Sequence, residues 1–307
     1  MKKILFIVAL MLVCGLTNAQ EGSTLEQPMA PALEFPWEQE NVGDFAEPVS
    51  YVFQREADVL YSVTIKRRID LREKMNHPLY FPRTPRGSWR SLAQVIFDAM
   101  DMQNTENEDA LKIYSDEFCR ELMNRNTIQE NMNYSEVVIG GDVDENGEVL
   151  GDKQIQYNLE AQNILGYDVV EVWFFDKQRS LQDVRIMKIM PYFEYDKPGA
   201  NMGQNEDENE VADNNKSQRQ LGWIKYNDLR PYLAKQEVKN IKNNSQRLSL
   251  DDLLTWKRMF KGYILAESNV YEDRHVADYI SNSRDQMIES DKITEKMRKQ
   301  EHDLWEF

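Results

Sequence analysis

The sequence YDVVEVWFFDKQRSLQDVRIMKIMPYF, at residues 167–193, decides the fold class of this chain. Two runs rich in valine, isoleucine and aromatic residues flank a polar stretch at residues 176–180, a pattern that is typical of a β-hairpin. The first run is apolar at positions that would point to both faces of a sheet. We therefore predict a central hairpin whose first strand is covered on both sides.

The segments around this hairpin show helical periodicity. Ser88 is predicted to cap an amphipathic helix in WRSLAQVIFDAM, and Ser115 to begin a second, short helix. Ser249 is predicted to cap a helix whose apolar stripe runs as far as Ile264, and residues 283–301 are helical by propensity. Together these patterns predict an α+β fold: a mixed or antiparallel sheet with a central hairpin, packed by several amphipathic helices, and a helical C-terminal part.

Residues 55–71 fit two patterns. They alternate apolar and polar side chains as a strand does, but Tyr61, Ile65 and Ile69 also fit one helical face. The sequence alone leaves strand and helix open. The segment PLYFPRTPRG that follows has three prolines within eight residues and is predicted to be a loop.

The chain begins with the three parts of a secretory signal. Two lysines precede an apolar run, and small residues then form a cleavage site, so residues 1–19 are predicted to be a signal peptide that is cleaved after Ala19. A lipoprotein signal that ends at Cys14 is an alternative, which the bulky Val13 before it disfavours. The remaining composition predicts four parts: an extended arm rich in proline and acids at residues 20–50, an α+β core at 51–195, an acidic flexible loop at 196–220, and a mainly helical C-terminal part that packs on the core at 221–307.

The charge of the chain is uneven. The formal net charge is −16, and it becomes −18 once Lys2 and Lys3 leave with the signal. Such an acidic chain is not expected to bind nucleic acid or an anionic membrane surface. Residues 66–90 are the exception, because they contain eight basic and two acidic residues, a local charge of +6.

Patterns of catalytic chemistry are missing from the sequence. It has no HExxH, no GxSxG and no glycine-rich phosphate or dinucleotide loop, and its three histidines lie far apart. Cys119, the one cysteine left after cleavage, is predicted to be a buried structural thiol. We therefore predict no enzyme activity, no catalytic residue and no cofactor.

One motif resembles a metal site. DVDENG at residues 142–147 matches the beginning of a calcium loop, but position twelve, where calcium requires a bidentate glutamate, is Lys153. Asn146 and Gly147 between apolar runs are also a strong hairpin-turn signal. The turn is the favoured interpretation, and calcium remains the alternative.

Six stretches of this sequence resemble the gliding-motility and type IX secretion protein family known as GldN or PorN. They occur in order between residues 55 and 271: READVLYSVTIKRRIDLREKMNHPLYFP, GSWRSL, GYDVVEVWFFDKQRS, DVRIMKIMPY, YNDLRPYLAKQEVKN and QRLSLDDLLTWKRMFKGYILAESNVY. The resemblance implies a non-enzymatic structural subunit of the periplasm that associates with the outer membrane without spanning it. It also implies self-association in a ring with a GldK- or PorK-type lipoprotein, and contact between that ring and the periplasmic shaft of a GldM- or PorM-type motor protein.

A ring requires a contact in which one surface of a subunit meets a different surface of its neighbour. A basic segment on an acidic chain suits such a contact, because complementary charge fixes orientation and arginine pairs carboxylates in a bidentate geometry. The predicted interface residues are Arg67, Arg68, Arg72, Tyr80, Phe81, Arg83 and Arg86.

Other interpretations of the same residues stay open. The apolar side chains of this segment would equally fill a core while the charges stay solvated. A monomeric periplasmic module that binds a small ligand is the alternative function, and a hydrolase built on Cys119 or on a carboxylate pair is a third.

Overall fold

The computed structural model describes residues 47–86, 89–100, 110–143, 149–158, 160–196, 216–238, 248–268 and 270–303, all within a unit that spans residues 43–307. The predicted signal peptide lies outside these residues, as do most of the predicted arm and most of the predicted acidic loop. Their boundaries remain predictions.

Eleven strands lie in the described part of the chain: β1 (Val59–Asp70), β2 (Ile113–Tyr114), β3 (Asn133–Val143), β4 (Val149–Asn158), β5 (Ile164–Asp176), β6 (Leu181–Asp196), β7 (Lys216–Gln220), β8 (Trp223–Lys225), β9 (Glu237–Val238), β10 (Leu248–Ser249) and β11 (Tyr263–Glu267). The same residues form six α-helices: α1 (His77–Tyr80), α2 (Leu92–Met100), α3 (Arg125–Met132), α4 (Tyr226–Ala234), α5 (Val276–Tyr279) and α6 (Ser283–Asp303). A π-helix covers Asp252–Trp256. The predicted α+β fold class is confirmed.

The main sheet has seven strands in the order β11-β1-β5-β6-β8-β2, with β7 paired to β6. All of its pairs are antiparallel. β5 and β6 form the predicted hairpin, whose ladder runs from Ile164 opposite Phe193 to Asp176 opposite Leu181. β5 lies between β1 and β6, so the central position predicted for the first strand of the hairpin is confirmed.

β1 settles the ambiguity at residues 55–71 in favour of a strand. Its residues pair with β5 on one side and with β11 on the other, so its backbone groups are satisfied between neighbours. The alternation then places Ile65 and Ile69 on one face of the sheet and Lys66 and Arg68 on the other.

The two faces of the sheet carry different clusters of side chains. Val169 belongs to a large apolar core that also contains Leu92 and Ile96 of α2 and Leu229 of α4. Its chain neighbour Val170 belongs to a smaller cluster with Tyr114, Cys119, Met190 and Trp223. Because successive residues of a strand point to opposite faces, the helical core and this smaller cluster lie on opposite sides of β5.

α2 begins three residues later than predicted. Ser91 caps it, since the Ser91 Oγ accepts the Gln94 N–H at 3.4 Å and the Gln94 Oε1 accepts the Ser91 N–H at 2.9 Å. This reciprocal pair is a capping box. The predicted cap, Ser88, lies outside the described residues.

The short helix predicted to begin at Ser115 is wrong. Residues 115–122 form a turn, because the Asp116 carboxylate accepts the backbone N–H groups of Arg120 at 2.8 Å and Glu121 at 3.2 Å. Cys119 has a φ of 52°, which a helix does not permit. Short acidic side chains compete with helix by bonding to nearby backbone, and here that competition decides the structure.

The helix predicted after Ser249 is shorter than the apolar stripe indicates. A helical turn begins at Leu250, directly before the π-helix, and Ser249 caps it, because the Ser249 Oγ accepts the Asp252 N–H at 3.0 Å. The π-helix then ends at Trp256, and Arg258 has a φ of 45°. Ile264, the last residue of the predicted stripe, lies instead in β11, which joins the sheet beside β1.

The C-terminal helix α6 confirms the helical tail predicted at residues 283–301. It covers the outer strand of the sheet, where the Ser290 Oγ accepts the backbone N–H of Ile264 at 2.7 Å. The Lys296 ammonium also pairs with the buried Glu267 carboxylate of β11 at 2.8 Å. Residues 216–220, by contrast, form β7, although they were predicted as the end of the acidic loop.

The middle of the sheet contains a buried carboxylate. Glu171 of β5 has no exposure, and it accepts bonds from the Arg67 Nε at 3.4 Å, the Arg258 Nη2 at 2.8 Å and the Trp173 Nε1 at 3.0 Å. Burial raises the pKa of this carboxyl, but the two guanidinium groups outweigh it, and the pKa lies below its usual value. Arg67 also donates to the Gly262 carbonyl at 3.0 Å.

Replacing Glu171 by glutamine should lower the free energy of unfolding by about 3 kcal/mol, because two arginines then lose their buried counter-charge. Urea unfolding followed by circular dichroism measures this change. Glu272→Gln is the matched control: Glu272 is 85% exposed in its pair with Arg274, so the loss should stay within about 0.5 kcal/mol. Equal effects of the two substitutions would contradict the role assigned to Glu171.

The stability of the chain should also depend on pH through Glu171. A carboxyl whose folded pKa is depressed contributes stability that is present above its unfolded value, about 4.5, and is lost as the pH falls through the folded pKa. The free energy of unfolding should therefore fall below about pH 4.5, and it should fall less steeply in Glu171→Gln. Parallel pH profiles of the two proteins, measured by urea unfolding between pH 7 and pH 3, would contradict this assignment.

Candidate protein-binding groove

A buried asparagine fixes the chain that leads from the sheet to the basic segment. Asn76 has no exposure, and its Nδ2 donates to the Asp70 carbonyl at 2.6 Å and to the Lys261 carbonyl at 2.7 Å. Its Oδ1 accepts the Lys261 N–H at 2.8 Å. The end of β1 is thereby tied to the segment that precedes β11.

The helix α1 follows directly within the segment that was predicted to be a loop. It buries Leu79 completely, and Tyr80 packs against the helical core. Phe81 stays 51% exposed, with its ring edge-on to Tyr80 at 5.0 Å between centroids. The Phe81–Pro82 peptide bond is cis, and the chain turns away from the helix at this point.

The arginine-containing turn that follows is held by the beginning of α2. The Gln94 Nε2 donates to the Arg83 carbonyl at 2.7 Å. Arg86 and Trp89 form an antiparallel bridge, with backbone N···O distances of 3.1 and 3.0 Å. The side chain that closes the capping box of α2 therefore also fixes the position of the turn.

The turn and β9 together enclose an open groove of about 380 Å³. We call it the arginine groove. Its lining residues are Phe81, Pro82, Arg83, Thr84, Arg86, Trp89, Arg90, Glu237 and Val238.

The arginine groove combines aromatic surface with positive charge. Three arginines line it against one acid, Glu237. Arg90 pairs with Asp98 of α2. Among the residues that the structure describes, no carboxylate lies within ion-pair distance of the guanidinium groups of Arg83 and Arg86, so these two can pair with a carboxylate from outside.

Two of the seven predicted interface residues are engaged inside the protein. Arg67 is 9% exposed and belongs to the buried Glu171 cluster. Arg68 makes a bidentate pair with the buried Asp168, at 2.6 and 2.8 Å, and its guanidinium lies 4.4 Å from the Tyr192 ring centroid. Substituting either residue would break an ion pair inside the sheet, so a loss of partner binding in such a variant could not be assigned to the interface.

Three of the other five predicted residues line the groove, and two do not. Arg72 is exposed and pairs with Asp70 at 2.7 Å, while Tyr80 is partly buried against the core. Phe81, Arg83 and Arg86 line the arginine groove. Whether any of them contacts a partner stays a prediction.

The sequence prediction missed six of the nine lining residues: Pro82, Thr84, Trp89, Arg90, Glu237 and Val238. Arg90 is the last base of the basic segment at residues 66–90, and Trp89 is its chain neighbour, so the sequence already contained the signal for both. Val238 comes from a strand about 150 residues further along the chain, so only the fold brings it to Arg86.

A reactive thiol and a metal site find no support in the described residues. Burial raises the pKa of the Cys119 thiol in spite of the nearby Lys188 and Lys225, so the reactive thiolate is disfavoured. No group of three or more histidine, cysteine or acidic side chains in this part of the chain is arranged to hold a metal ion. Most of the calcium motif at residues 142–147 lies outside the described residues, which stop at 143 and resume at 149. β3 and β4 on either side pair as the predicted hairpin.

The fold and the groove define an α+β protein with an open surface groove that is cationic and aromatic. A family model, "Gliding motility associated protein GldN", matches residues 54–306, and the chain belongs to this family. The chain is a component of the gliding motility and type IX secretion machinery. Its family consists of structural components and is not known as an enzyme family. A search of curated protein sequences finds no match. None of the described helices has the length and apolar character that crossing a bilayer requires.

Replacing Gln94 by methionine should loosen the arginine groove without unfolding the protein. The substitution keeps the side-chain volume but removes the bonds to Arg83 and Ser91, at a cost of about 1–2 kcal/mol. Hydrogen exchange should become faster at residues 81–91 and stay unchanged in β5. Gln129→Met, at an exposed position of α3, is the control and should leave both regions protected as in the original protein.

Proposed function

We propose that this chain is a non-enzymatic structural subunit of the periplasmic part of the type IX secretion and gliding machinery. In this proposal it forms a ring under the outer membrane with a GldK- or PorK-type lipoprotein, and the shaft of a GldM- or PorM-type motor protein contacts that ring. Membership of the GldN family supports the assignment to this machinery. The predicted signal peptide supports export.

The arginine groove is the observation that carries the structural role. Arg83 and Arg86, which form no ion pair with a described carboxylate, lie beside the aromatic side chains of Phe81 and Trp89, and arginine and aromatic residues are enriched at the centres of protein interfaces. Because no described carboxylate lies within ion-pair distance of the two guanidinium groups, they are available to a partner. A surface of this kind supports assembly, while the raised pKa of Cys119 argues against thiol catalysis.

Arg83→Glu/Arg86→Glu should remove the chain from the assembly. Both side chains lie outside the core, so the variant should fold, but its groove would repel acidic partners. In cells that carry the secretion machinery, the amount of the chain that co-purifies with the lipoprotein should fall at least tenfold, or about 1.4 kcal/mol.

The control has the same change of charge elsewhere. Arg274→Glu/Arg298→Glu alters two exposed arginines of the C-terminal part, with 59% and 76% exposed side chains, and should co-purify normally. Normal co-purification of the groove variant would overturn the role of the groove. An unaltered chain that never fractionates with the lipoprotein would overturn the proposed function itself.

A further inference from the structure

A rigid acidic turn projects from the face of the sheet opposite the helices. Residues 115–122 carry two exposed apolar side chains at this turn, Phe118 at 69% and Leu122 at 57%. A single exposed apolar side chain is common on protein surfaces. Here, however, Phe118 and Leu122 lie on one short turn whose backbone is fixed by the Asp116 carboxylate.

The turn is fixed on its sheet by charged contacts. The Glu117 carboxylate pairs with the Lys66 ammonium at 2.9 Å, and the Glu117 carbonyl accepts a bond from the Lys188 Nζ at 2.6 Å. Cys119 anchors the turn from below, in a buried cluster with Val170 and Met190. Phe118 is therefore presented on a scaffold that loses little freedom on binding, which favours a specific contact.

The turn carries the chemistry that the arginine groove lacks. The turn has three acids and one base, Arg120, whose guanidinium lies 4.7 Å from the Phe118 ring centroid, so its net charge is −2. Glu117 is paired internally, while Asp116 and Glu121 have no lysine or arginine within ion-pair distance among the described residues. The Asp116 Oδ1 holds two backbone N–H groups of the turn, which leaves its Oδ2 for a partner.

The arginine groove has the opposite charge and aromatic walls at Phe81 and Trp89. Its volume of about 380 Å³ suits one aromatic ring with its neighbours rather than a whole helix.

The turn and the groove also lie on opposite sides of the sheet. Val238, which lines the groove, belongs to the helical core with Val169, whereas Cys119 of the turn packs on Val170. A contact between two different patches on opposite sides is heterologous, so it repeats from copy to copy and closes into a ring or extends into a filament.

We propose that Phe118 and its acidic turn insert into the arginine groove of a second copy of this chain, where Asp116 and Glu121 pair with Arg83 and Arg86. This inference rests on the proposed function, since it supplies the contact between neighbouring copies. It assigns the occupant of the groove, and it makes Phe118 the anchor of a head-to-tail contact.

Two variants that each lack one half of the contact test this arrangement. Phe118→Lys places a cation before the arginines of the groove and leaves its own groove intact. Arg83→Glu/Arg86→Glu removes the groove and leaves its own turn intact. Sedimentation velocity should show that the unaltered chain self-associates with rising concentration and that each variant alone is monomeric. A 1:1 mixture of the two variants should form a dimer and no larger species, because one intact half from each remains.

Two single substitutions give the size of the effect on self-association and its control. Phe118→Ala should weaken self-association by at least about 30-fold, as the loss of an aromatic anchor does. Phe53→Ala removes an aromatic side chain that is 85% exposed and should leave self-association unchanged. Circular dichroism should show that all variants are folded, which the exposure of the altered residues predicts.

The inference is overturned if the mixture stays monomeric, if either variant associates alone, or if the unaltered chain is monomeric at the highest concentration reached. The proposed function is judged separately, by co-purification with the lipoprotein in cells. If Arg83→Glu/Arg86→Glu loses the lipoprotein while the purified chain never self-associates, the groove binds a different protein and only the present inference fails.

Discussion

The charge of Glu171 is the constraint on which the rest of this structure depends. A carboxylate at the centre of a sheet, without exposure to water, is tolerated only with close counter-charges. Arg67 reaches it from β1 and Arg258 from the turn after the π-helix. These two contacts hold the central strand, its neighbour and a segment some 90 residues further along the chain in one arrangement.

Contacts next to the Glu171 cluster connect it to the arginine groove. Arg67 binds the carbonyl of Gly262, and a Cβ at this glycine would lie 2.6 Å from the Arg68 carbonyl, so only glycine permits the approach. The neighbouring Lys261 is bound by Asn76, from which the chain enters α1 and the arginine groove. The buried charge of Glu171 therefore helps to position the exposed arginines of the groove.

The sequence predicted the elements whose signals are local. The hairpin at residues 167–193 follows from its alternating runs and polar turn, and the capping role of Ser249 follows from its position before an apolar run. The helix predicted at Ser115 failed because Asp116 bonds to backbone N–H groups, a local competition that periodicity does not record.

The basic segment shows what local signals omit. Its charge of +6 predicted a surface for a partner, but Arg67 and Arg68 find their acids in β5, about 100 residues away. A count of charges cannot separate an arginine that pairs within the fold from one that faces outward. Arg83 and Arg86 differ from the first two because they form no ion pair with the described residues, although Glu237 of β9 lines the same groove.

The bond that α6 makes to the edge of the sheet limits where a further strand could add. With the amide of Ile264 already bonded to Ser290, this N–H of β11 is not free to pair with a strand from another chain. Covering the donors of an edge strand with a helix of the same chain is one way in which proteins avoid unwanted strand addition.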